Sequence, residues 1–261
     1  TAAIHDDNPE IAAARAGGSP VFERAEAWGA IMRQYRNAVC IAGTHGKTTT
    51  TSMTTHIFMA AKADPTVMIG GTLPMLHSGY RVGKGDTIIL ESCEYCNSFL
   101  HFFPTVAVIL NVEADHLDFF SGLEDIKRSF RRFAELVPPE GRVVVNADDP
   151  NAMEALAGLP LFTFGCHGGA DCQAKNLIWH HGRPEFDVVA DGEVYAHLCL
   201  RVAGMHNVYN ALAAAAAAYV LKIPGKAVQQ GLEGFFGAGR RFELKGQYNG
   251  AKVYDDYAHH P

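Results

Sequence analysis

Residues 39–49 read VCIAGTHGKTT, an apolar run followed by a short glycine-containing loop and a row of threonines. The apolar run predicts a buried strand, and a segment of helical length, residues 47–61, comes after the loop. A strand, a glycine loop and a helix N-terminus in succession place backbone N–H groups where they can hold phosphate oxygens. This stretch therefore predicts an α/β fold whose first strand leads into a phosphate-binding loop.

The spacing of this loop differs from that of the common P-loop, in which a glycine would stand at Ile41. Here Gly43 opens the loop, Lys47 is its mobile cation, and Thr48 offers a hydroxyl group to a metal ion. Gly-Lys followed by Thr also arises by chance in ordinary turns. The prediction of nucleotide binding therefore depends on the preceding strand, on Gly43 and on the threonines after Lys47.

Further apolar runs occur at helix-length intervals, namely TVMIGG (66–71), DTIILES (86–92), TVAVILNV (105–112), RVVVNADD (142–149) and LFTFG (161–165). Strands that are apolar almost throughout predict a mostly parallel, P-loop-type sheet flanked by helices on both faces. Residues 171–202 alternate over shorter distances and contain turn signals, which predicts a small antiparallel sheet of about three strands packed beside the parallel one. The alanine-rich residues 205–221 predict a buried helix.

Composition and charge limit the function classes. The chain has 261 residues, 48% of them hydrophobic and 19% charged, with a formal net charge of −6. A negative balance argues against a nucleic-acid surface, which needs dense lysine and arginine. No apolar run approaches the roughly 20 residues that span a bilayer, and the opening TAAIHDDNPE is unlike a secretory signal. We therefore expect a cytoplasmic protein with no membrane segment.

The six cysteines are scattered along the chain, which is typical of reduced thiols in a cytosolic enzyme rather than of a disulfide framework. Cys93 and Cys96 form a CxxC pair. A structural zinc site of this type needs a second pair, and the sequence offers none.

Polar residues follow two of the predicted strands. The carboxyl ends of parallel strands meet at one edge of a sheet, so these residues are expected near the loop. Carboxylate oxygens are the ligands that hard divalent cations prefer. The candidates are Glu91, Glu94, Asn111, Glu113, Asp115, His116 and Asp118. Most acids of this kind are solvated loop charges, and spacing alone does not choose among them.

Two further groups could contact a nucleotide. His206 and Asn210 lie four residues apart on the alanine-rich helix and share a face, where an amide can pair with adenine and an imidazole can stack on it. A helix cap made by Asn207 and its neighbours explains this pattern equally well. Arg241, in GAGRRFE, suits a guanidinium that reaches a phosphate, or a surface ion pair.

Six motifs in this order carry a family resemblance: GTHGKTTTT (43–51), ESCEYCNSFL (91–100), NVEADHLDFF (111–120), AGMHNVYNALAAAA (203–216), GRRFE (239–243) and DDYAHHP (255–261). Together they resemble the Mur ligases of bacterial peptidoglycan synthesis over essentially the whole chain. GTxGKT is that family's own form of the loop. Within the family the motifs are most similar to those of the member that joins L-alanine to UDP-N-acetylmuramate.

The resemblance implies an ATP-dependent, magnesium-dependent ligase with UDP-N-acetylmuramate and L-alanine as substrates. ATP phosphorylates the carboxylate to an acyl phosphate, and the amine then displaces phosphate. Three domains are implied: residues 1–36 as the tail of a UDP-sugar-binding domain, residues 37–249 as the central ATP-binding domain, and residues 250–261 as the start of a truncated C-terminal domain. The chain is thus expected to be a fragment.

The resemblance also implies residue roles. Lys47, Glu94 and His116 form the catalytic set, and Glu94 and His116 bind magnesium together with Thr48. His206 and Asn210 contact adenine, Arg241 lies near the γ-phosphate, and His259 lies near the incoming alanine. His45 contacts the nucleotide and faces the muramate. The loop residues implied to hold the nucleotide are Gly43, Thr44, His45, Gly46, Lys47, Thr48 and Thr49.

Two other functions remain open at this point. A ligase similar to folylpolyglutamate synthase would share the fold and the chemistry, although AGMHNVYN and DDYAHHP favour the muramate enzyme. A non-catalytic nucleotide-binding module, such as a regulatory switch, would call for a guanine-reading Asn-Lys-x-Asp, which the sequence lacks.

Overall fold

The structure is a computed structural model that describes residue 4, residues 6–241 and residues 243–257. The strands are β1 (Asn37–Ala42), β2 (Thr66–Leu73), β3 (Ser78–Arg81), β4 (Thr87–Glu91), β5 (Val106–Ile109), β6 (Arg142–Asn146), β7 (Leu161–Gly165), β8 (Cys172–His180), β9 (Arg183–Ala190), β10 (Glu193–Cys199), β11 (Glu243–Tyr248) and β12 (Ala251–Asp255). The α-helices are α1 (Pro9–Ala16), α2 (Arg24–Met32), α3 (Lys47–Ala60), α4 (Leu123–Ala134), α5 (Pro150–Ala155), α6 (Met205–Val220) and α7 (Gly225–Glu233). Short 3-10 helices span Pro74–Leu76 and Tyr95–His101.

The main sheet has ten strands in the order β10-β9-β8-β7-β6-β5-β1-β4-β2-β3. All pairings from β8 across to β2 are parallel, whereas β3 and β9 run antiparallel to their neighbours. The mostly parallel sheet predicted from the sequence is therefore confirmed. β11 and β12 form a separate two-stranded antiparallel sheet.

The antiparallel patch predicted over residues 171–202 is present as β8, β9 and β10, and it continues the main sheet. The junction consists of two parallel pairs, Phe164 with Cys172 and Gly165 with Gln173. Such a short non-local pairing leaves no periodic signal in the sequence. Strand β3 and helix α5 are absent from the sequence-based prediction, because each is too short to show a hydrophobic period.

The sheet carries a separate hydrophobic core on each face. Val39 and Ile41 of β1 face a core that includes α3, α6 and α7, whereas Ala38 and Cys40 face a core that includes α2, α4 and α5. Successive residues of a strand point to opposite faces, so a strand covered on both faces must be apolar throughout. This explains the unbroken apolar run before the loop.

Helix α3 is buried although it is rich in hydroxyl side chains. Thr51, Ser52, Thr54 and Thr55 donate hydrogen bonds of 2.7–2.8 Å to the carbonyl oxygens four residues earlier. These four hydroxyl groups are therefore satisfied inside the helix, and no buried side-chain polar atom of α3 lacks a hydrogen-bond partner.

The alanine run of α6 allows close packing against the sheet and α3. Residues 211–218 are all buried. At the neighbouring crossing of α3 and α7, a Cβ atom on Gly231 would lie 2.6 Å from the Cα atom of Ile57. Small side chains thus bring the helix backbones together and hold α3, which begins at the loop, in a fixed position.

Among the described helices, none has both the length and the apolar character needed to cross a lipid bilayer. All six cysteines are free thiols.

Candidate active site

The loop between β1 and α3 is held by the segment after β5. Asn111 accepts a hydrogen bond from the His45 amide at 2.7 Å through Oδ1, and its Nδ2 donates to the His45 carbonyl at 3.1 Å. The Thr44 amide donates to the Asn111 carbonyl at 3.1 Å, and the Glu113 amide donates to Thr44 Oγ1 at 2.9 Å. Because side-chain and backbone bonds both fix the loop, its amide groups are preorganised.

Gly43 and Gly46 are required by the backbone. Gly43 has φ 148° and Gly46 has φ 85°, and residues with a Cβ atom rarely adopt these backbone conformations. Space is also short, since a Cβ atom would lie 2.8 Å from Leu110 Cβ at Gly43 and 2.6 Å from Asn210 Oδ1 at Gly46. The loop therefore approaches the segment after β5 and helix α6 too closely for any larger residue.

Lys47 lies at the centre of a dense acceptor cluster. Its Nζ atom donates to the Gly43 carbonyl at 2.5 Å, to the Thr44 carbonyl at 3.1 Å, and to both carboxylate oxygens of Glu94 at 3.0 and 2.9 Å. The side chains of Lys47 and Glu94 are only 13% and 3% exposed. A carboxylate this deeply buried needs a paired cation, and Lys47 supplies it.

His116 borders the same carboxylate. Its Nε2 atom lies 3.8 Å from Glu94 Oε1, and its ring centroid lies 4.8 Å from that of Tyr95. Tyr95 in turn donates a hydrogen bond to Asp118 at 2.8 Å, and this bond raises the pKa of Tyr95 to about 12. The predicted catalytic residues Lys47, Glu94 and His116 are thus brought together.

The predicted metal ligand Thr48 has a different partner. Its Oγ1 atom donates to Glu91 Oε1 at 3.0 Å, and Glu91 Oε2 accepts from the Gly70 amide at 2.6 Å. Glu91 is the last residue of β4 and belongs to the same ESCE segment as Glu94, so the sequence offers it as a candidate. Only the fold reveals that Thr48 contacts Glu91 and that Glu94 contacts Lys47.

These groups suit a hard divalent cation. The donors around the start of α3 are a threonine hydroxyl, two carboxylates and one imidazole nitrogen, and the oxygen donors, which are the majority, are of the kind that Mg²⁺ prefers. Glu94 is buried and aimed at the loop, with the Lys47 ammonium against it. A cation that replaced this ammonium would meet the same negative charge. The residues present therefore fit a magnesium ion.

A cavity of about 1730 Å³ opens beside the loop. The predicted site residues that line it are His45, Gly46, Thr48, Thr49, His206, Asn210 and Arg241. Lys47, Glu94 and His116 are not among the described residues that line the cavity, and the Lys47 ammonium is paired with Glu94. The loop residues on both sides of Lys47, Gly46 and Thr48, do line it.

Asn210 links α6 to the loop helix. Its Oδ1 atom accepts from Thr50 Oγ1 at 3.1 Å, and its Nδ2 atom donates to Asn207 Oδ1 at 3.2 Å. Asn207 Nδ2 donates to the Ala203 carbonyl at 2.7 Å and lies 3.1 Å from His206 Nε2. The network orients Asn210 and His206 on one side of the cavity. The sequence indicates Asn207 only as a possible cap.

Two of the predicted residues that line the cavity are exposed to solvent. His45 is exposed, with Nε2 3.6 Å from Glu113 Oε2. Arg241 is exposed, and its guanidinium carbon lies 5.7 Å from the centroid of the Tyr257 ring. His259 lies outside the described residues.

Asp148 is a cavity residue that sequence reasoning missed. Its Oδ2 atom accepts from the Cys166 amide at 2.6 Å, the His167 amide at 3.2 Å and the Tyr209 hydroxyl at 3.0 Å. Burial opposes ionisation, but these hydrogen bonds outweigh it and hold the pKa of Asp148 below its usual value. The signal available in the sequence was its position two residues after β6, at the same sheet edge as the loop.

Replacing Asp148 with Asn is expected to lower the free energy of unfolding by about 1–3 kcal/mol at neutral pH, because charge-assisted hydrogen bonds are lost. A lowered pKa in the folded state stabilises the protein above the unfolded-state pKa of about 4, and this stabilisation is lost as the pH falls through the folded-state pKa. Denaturant titrations from pH 7 to pH 3 should therefore show that the difference in the free energy of unfolding between wild type and Asp148→Asn becomes smaller in acid.

Asp149 provides a matched control for this measurement. Burial raises its pKa, so its ionisation opposes folding and the pH dependence has the opposite sign. It also caps α5 by accepting from the Ala152 amide at 2.7 Å, a role that asparagine fills equally well. Asp149→Asn should therefore cost little at neutral pH. Equal losses of stability at neutral pH in Asp148→Asn and Asp149→Asn would contradict a stabilising role for the Asp148 carboxylate.

The fold and the loop together define an α/β domain of P-loop type. A sequence model described as the Mur ligase middle domain matches residues 41–218. The chain belongs to the Mur ligase family.

Two relatives of stated function align with the whole of this chain. It is 46% identical to the UDP-N-acetylmuramate–L-alanine ligase of Clostridium novyi (strain NT), with 100% of this chain and 57% of that protein aligned. The enzyme of the same description from Clostridium perfringens (strain 13 / Type A) is also 46% identical, over 58% of its length. The chain thus spans a little over half the length of the curated relatives it matches.

A solved structure has the same fold. The crystal structure of the UDP-N-acetylmuramate–alanine ligase from Thermotoga maritima superposes with a TM-score of 0.85 at 31% identity, covering 99% of this chain and 59% of that one.

Proposed function

We propose that this chain is the ATP-binding part of a ligase that joins L-alanine to the carboxylate of UDP-N-acetylmuramate in the cytoplasm. The observation that carries the proposal is the Lys47 ammonium, held at a strand-helix junction by two loop carbonyls and by the buried Glu94. The identity to the two clostridial ligases supports the choice of substrates.

A carboxylate does not react with an amine at neutral pH, because oxide would have to leave. In the proposed reaction the carboxylate oxygen attacks the γ-phosphorus of ATP, which releases ADP and gives an acyl phosphate. The L-alanine amine then attacks the carbonyl carbon, and inorganic phosphate leaves. The protein's part in the first step is positioning and electrostatic stabilisation rather than covalent catalysis.

The loop residues supply the phosphate contacts in this proposal. The amides of Gly46, Lys47 and Thr48 open helix α3, where backbone N–H groups have no partner within the helix and can donate to an anion. Lys47 exchanges Glu94 for phosphate oxygens. A magnesium ion bound by Thr48, Glu94 and His116 would neutralise further phosphate charge.

Residues around the cavity supply the remaining contacts. Asn210 and His206 contact adenine, and Arg241 approaches the terminal phosphate. His45 faces the muramate side of the loop, where it is exposed. The network through Asn207 keeps the Asn210 amide in one orientation, so adenine meets a fixed donor and acceptor pair.

We also propose the domain division given by the sequence, with residues 37–249 as the central domain. The match to the middle-domain model over residues 41–218 supports its first part. The β11–β12 pair joins residues on both sides of position 249, so this hairpin would connect the central domain to the C-terminal domain.

The substrate assignment is tested by product analysis. A protein extended to the full length of its relatives is incubated with ATP, magnesium, UDP-N-acetylmuramate and either L-alanine or L-glutamate. We expect ADP, phosphate and the L-alanyl amide in equal amounts, and a hydroxamate when hydroxylamine replaces the amino acid and traps the acyl phosphate. Amide formation with glutamate alone, or ATP consumption without any acyl product, would contradict the proposal.

A further inference from the structure

A cluster of metal-ligating side chains lies on the antiparallel end of the sheet, on elements that carry none of the proposed catalytic residues. Glu185 of β9 pairs directly opposite Cys199 of β10, and Asp187 pairs opposite His197. Residues two apart on a strand share a face. Ligand atoms of Glu185, His197 and Cys199 all lie within 4.8 Å of one another, and this is the one such group among the described residues.

The distances agree with a single tetrahedral ion. His197 Nε2 lies 3.5 Å from Glu185 Oε1 and 3.8 Å from Cys199 Sγ. From ordinary zinc bond lengths, a tetrahedral Zn²⁺ separates its nitrogen and oxygen ligands by roughly 3.4 Å and its nitrogen and sulfur ligands by roughly 3.5 Å. Both distances from the imidazole nitrogen thus lie within a few tenths of an ångström of the tetrahedral values, and Glu185 and Cys199 lie within 4.8 Å of each other.

The imidazole is already oriented for metal binding. His197 Nδ1 lies 2.7 Å from Asp187 Oδ1, and Asp187 Oδ2 accepts from Asn176 Nδ2 at 2.7 Å. A carboxylate that accepts from Nδ1–H fixes the tautomer in which the Nε2 lone pair is available, as in carboxylate–histidine–zinc arrangements. That lone pair faces Glu185 and Cys199.

The second oxygen of Glu185 is also anchored. His180, at the end of β8, places Nε2 2.9 Å from Glu185 Oε2. The charged groups that act on His197 and Cys199 are the carboxylates of Glu185, Asp187 and Glu233, against the guanidinium of Arg201. The surroundings are therefore net negative and attract a cation.

We propose that Glu185, His197 and Cys199 bind one Zn²⁺ ion, with Asp187 as the positioning residue and a fourth position open to water. Thiolate, imidazole and carboxylate together are a ligand set that suits zinc, and the soft thiolate in particular is a poor ligand for the hard cations magnesium and calcium. Binding releases the Cys199 thiol proton to solvent, since the thiolate is the ligand. The ion would fasten β10, the last strand of the sheet, to β9.

The test is a titration of the chain with Zn²⁺ in competition with a chromophoric chelator, combined with Co²⁺ substitution. We expect one equivalent of Zn²⁺ per chain, a rise in melting temperature on binding, and a cobalt–thiolate charge-transfer band. Cys199→Ser and His197→Ala should each fail to bind the equivalent of Zn²⁺, and Cys199→Ser should also lack the cobalt–thiolate band. Asp187→Asn should keep the stoichiometry but bind about 10–100-fold more weakly.

Cys96→Ser is the matched control, since Cys96 is also a partly buried free thiol and belongs to the CxxC pair. It should retain both the bound zinc and the cobalt band. Circular dichroism of each metal-free variant checks folding, and Glu185→Gln provides a further variant at the third ligand. The proposal is overturned if the wild type takes up no stoichiometric zinc, or if the ligand variants bind as the wild type does.

Discussion

Replacing Lys47 with methionine in the proposed ligase, extended to the full length of its relatives, is expected to reduce phosphoryl transfer about 10²–10³-fold, because one preorganised charged donor is removed from the phosphates. The same change should lower the free energy of unfolding by about 3–5 kcal/mol, since Glu94 would remain buried without its cation. Rate measurements and denaturant titrations together give both effects.

The two effects of this substitution can be separated. The double variant Lys47→Met/Glu94→Gln has no buried charge to compensate, so most of the lost stability should return, while phosphoryl transfer stays below that of Glu94→Gln, in which only the acid is replaced. If the double variant regained transfer activity, Lys47 would be acting only as the partner of Glu94, and its catalytic role would be wrong.

Lys127 is the matched control for Lys47. Its side chain is 9% exposed, and its Nζ atom donates to Glu124 at 2.9 Å and to Glu154 at 2.8 Å. Both acids are largely exposed, so they are solvated when the lysine is removed. Lys127→Met should therefore cost less stability than Lys47→Met and should leave nucleotide binding unchanged.

Replacing Gly46 with alanine is the second substitution for which we expect a large loss of stability. The left-handed backbone alone should cost about 1–2 kcal/mol, and the approach of the new Cβ to Asn210 should add about 1–3 kcal/mol. Gly158 separates the two terms, because its φ of 83° matches the 85° of Gly46 and a Cβ there would meet no atom within 4 Å. Denaturant titration of Gly46→Ala and Gly158→Ala measures the difference.

The close approach of Gly46 to Asn210 also leads to a prediction about ATP binding. Gly46→Ala should weaken ATP binding, because relieving the contact displaces the amides that open α3, whereas Gly158→Ala should bind ATP as the wild type does. If both variants lost the same stability and the same affinity, the close approach of the loop to α6 would have no energetic role.

Local sequence was sufficient to predict the loop and its surroundings. The apolar run before Gly43 is long enough to identify β1, because a strand buried on both faces has no polar positions. The glycines and Lys47 then define the loop, and the later apolar runs identify the parallel strands. Each of these features is encoded by a few consecutive residues, so it can be read from the local sequence alone.

The partners of the charged residues depended on the fold. Spacing places Glu91 and Glu94 equally well beside the loop, and only the packing of β4 against β1 directs Glu91 to Thr48 and Glu94 to Lys47. The Asp148–Tyr209 bond joins residues 61 positions apart. Side-chain pairs of this kind are set by the register of the sheet and the helix packing, which leave no local pattern.

The central claim is that Lys47, at the junction of β1 and α3, holds the phosphates of ATP. Calorimetric titration of this chain with MgATP tests it most directly, comparing wild type, Glu94→Gln, Lys47→Met/Glu94→Gln and Lys127→Met. We predict one binding site in the wild type, unchanged affinity in Lys127→Met, and affinity lower by about 10–100-fold in the double variant than in Glu94→Gln, the loss expected from a charge-assisted hydrogen bond of Lys47. Equal affinity in Glu94→Gln and the double variant would contradict the claim.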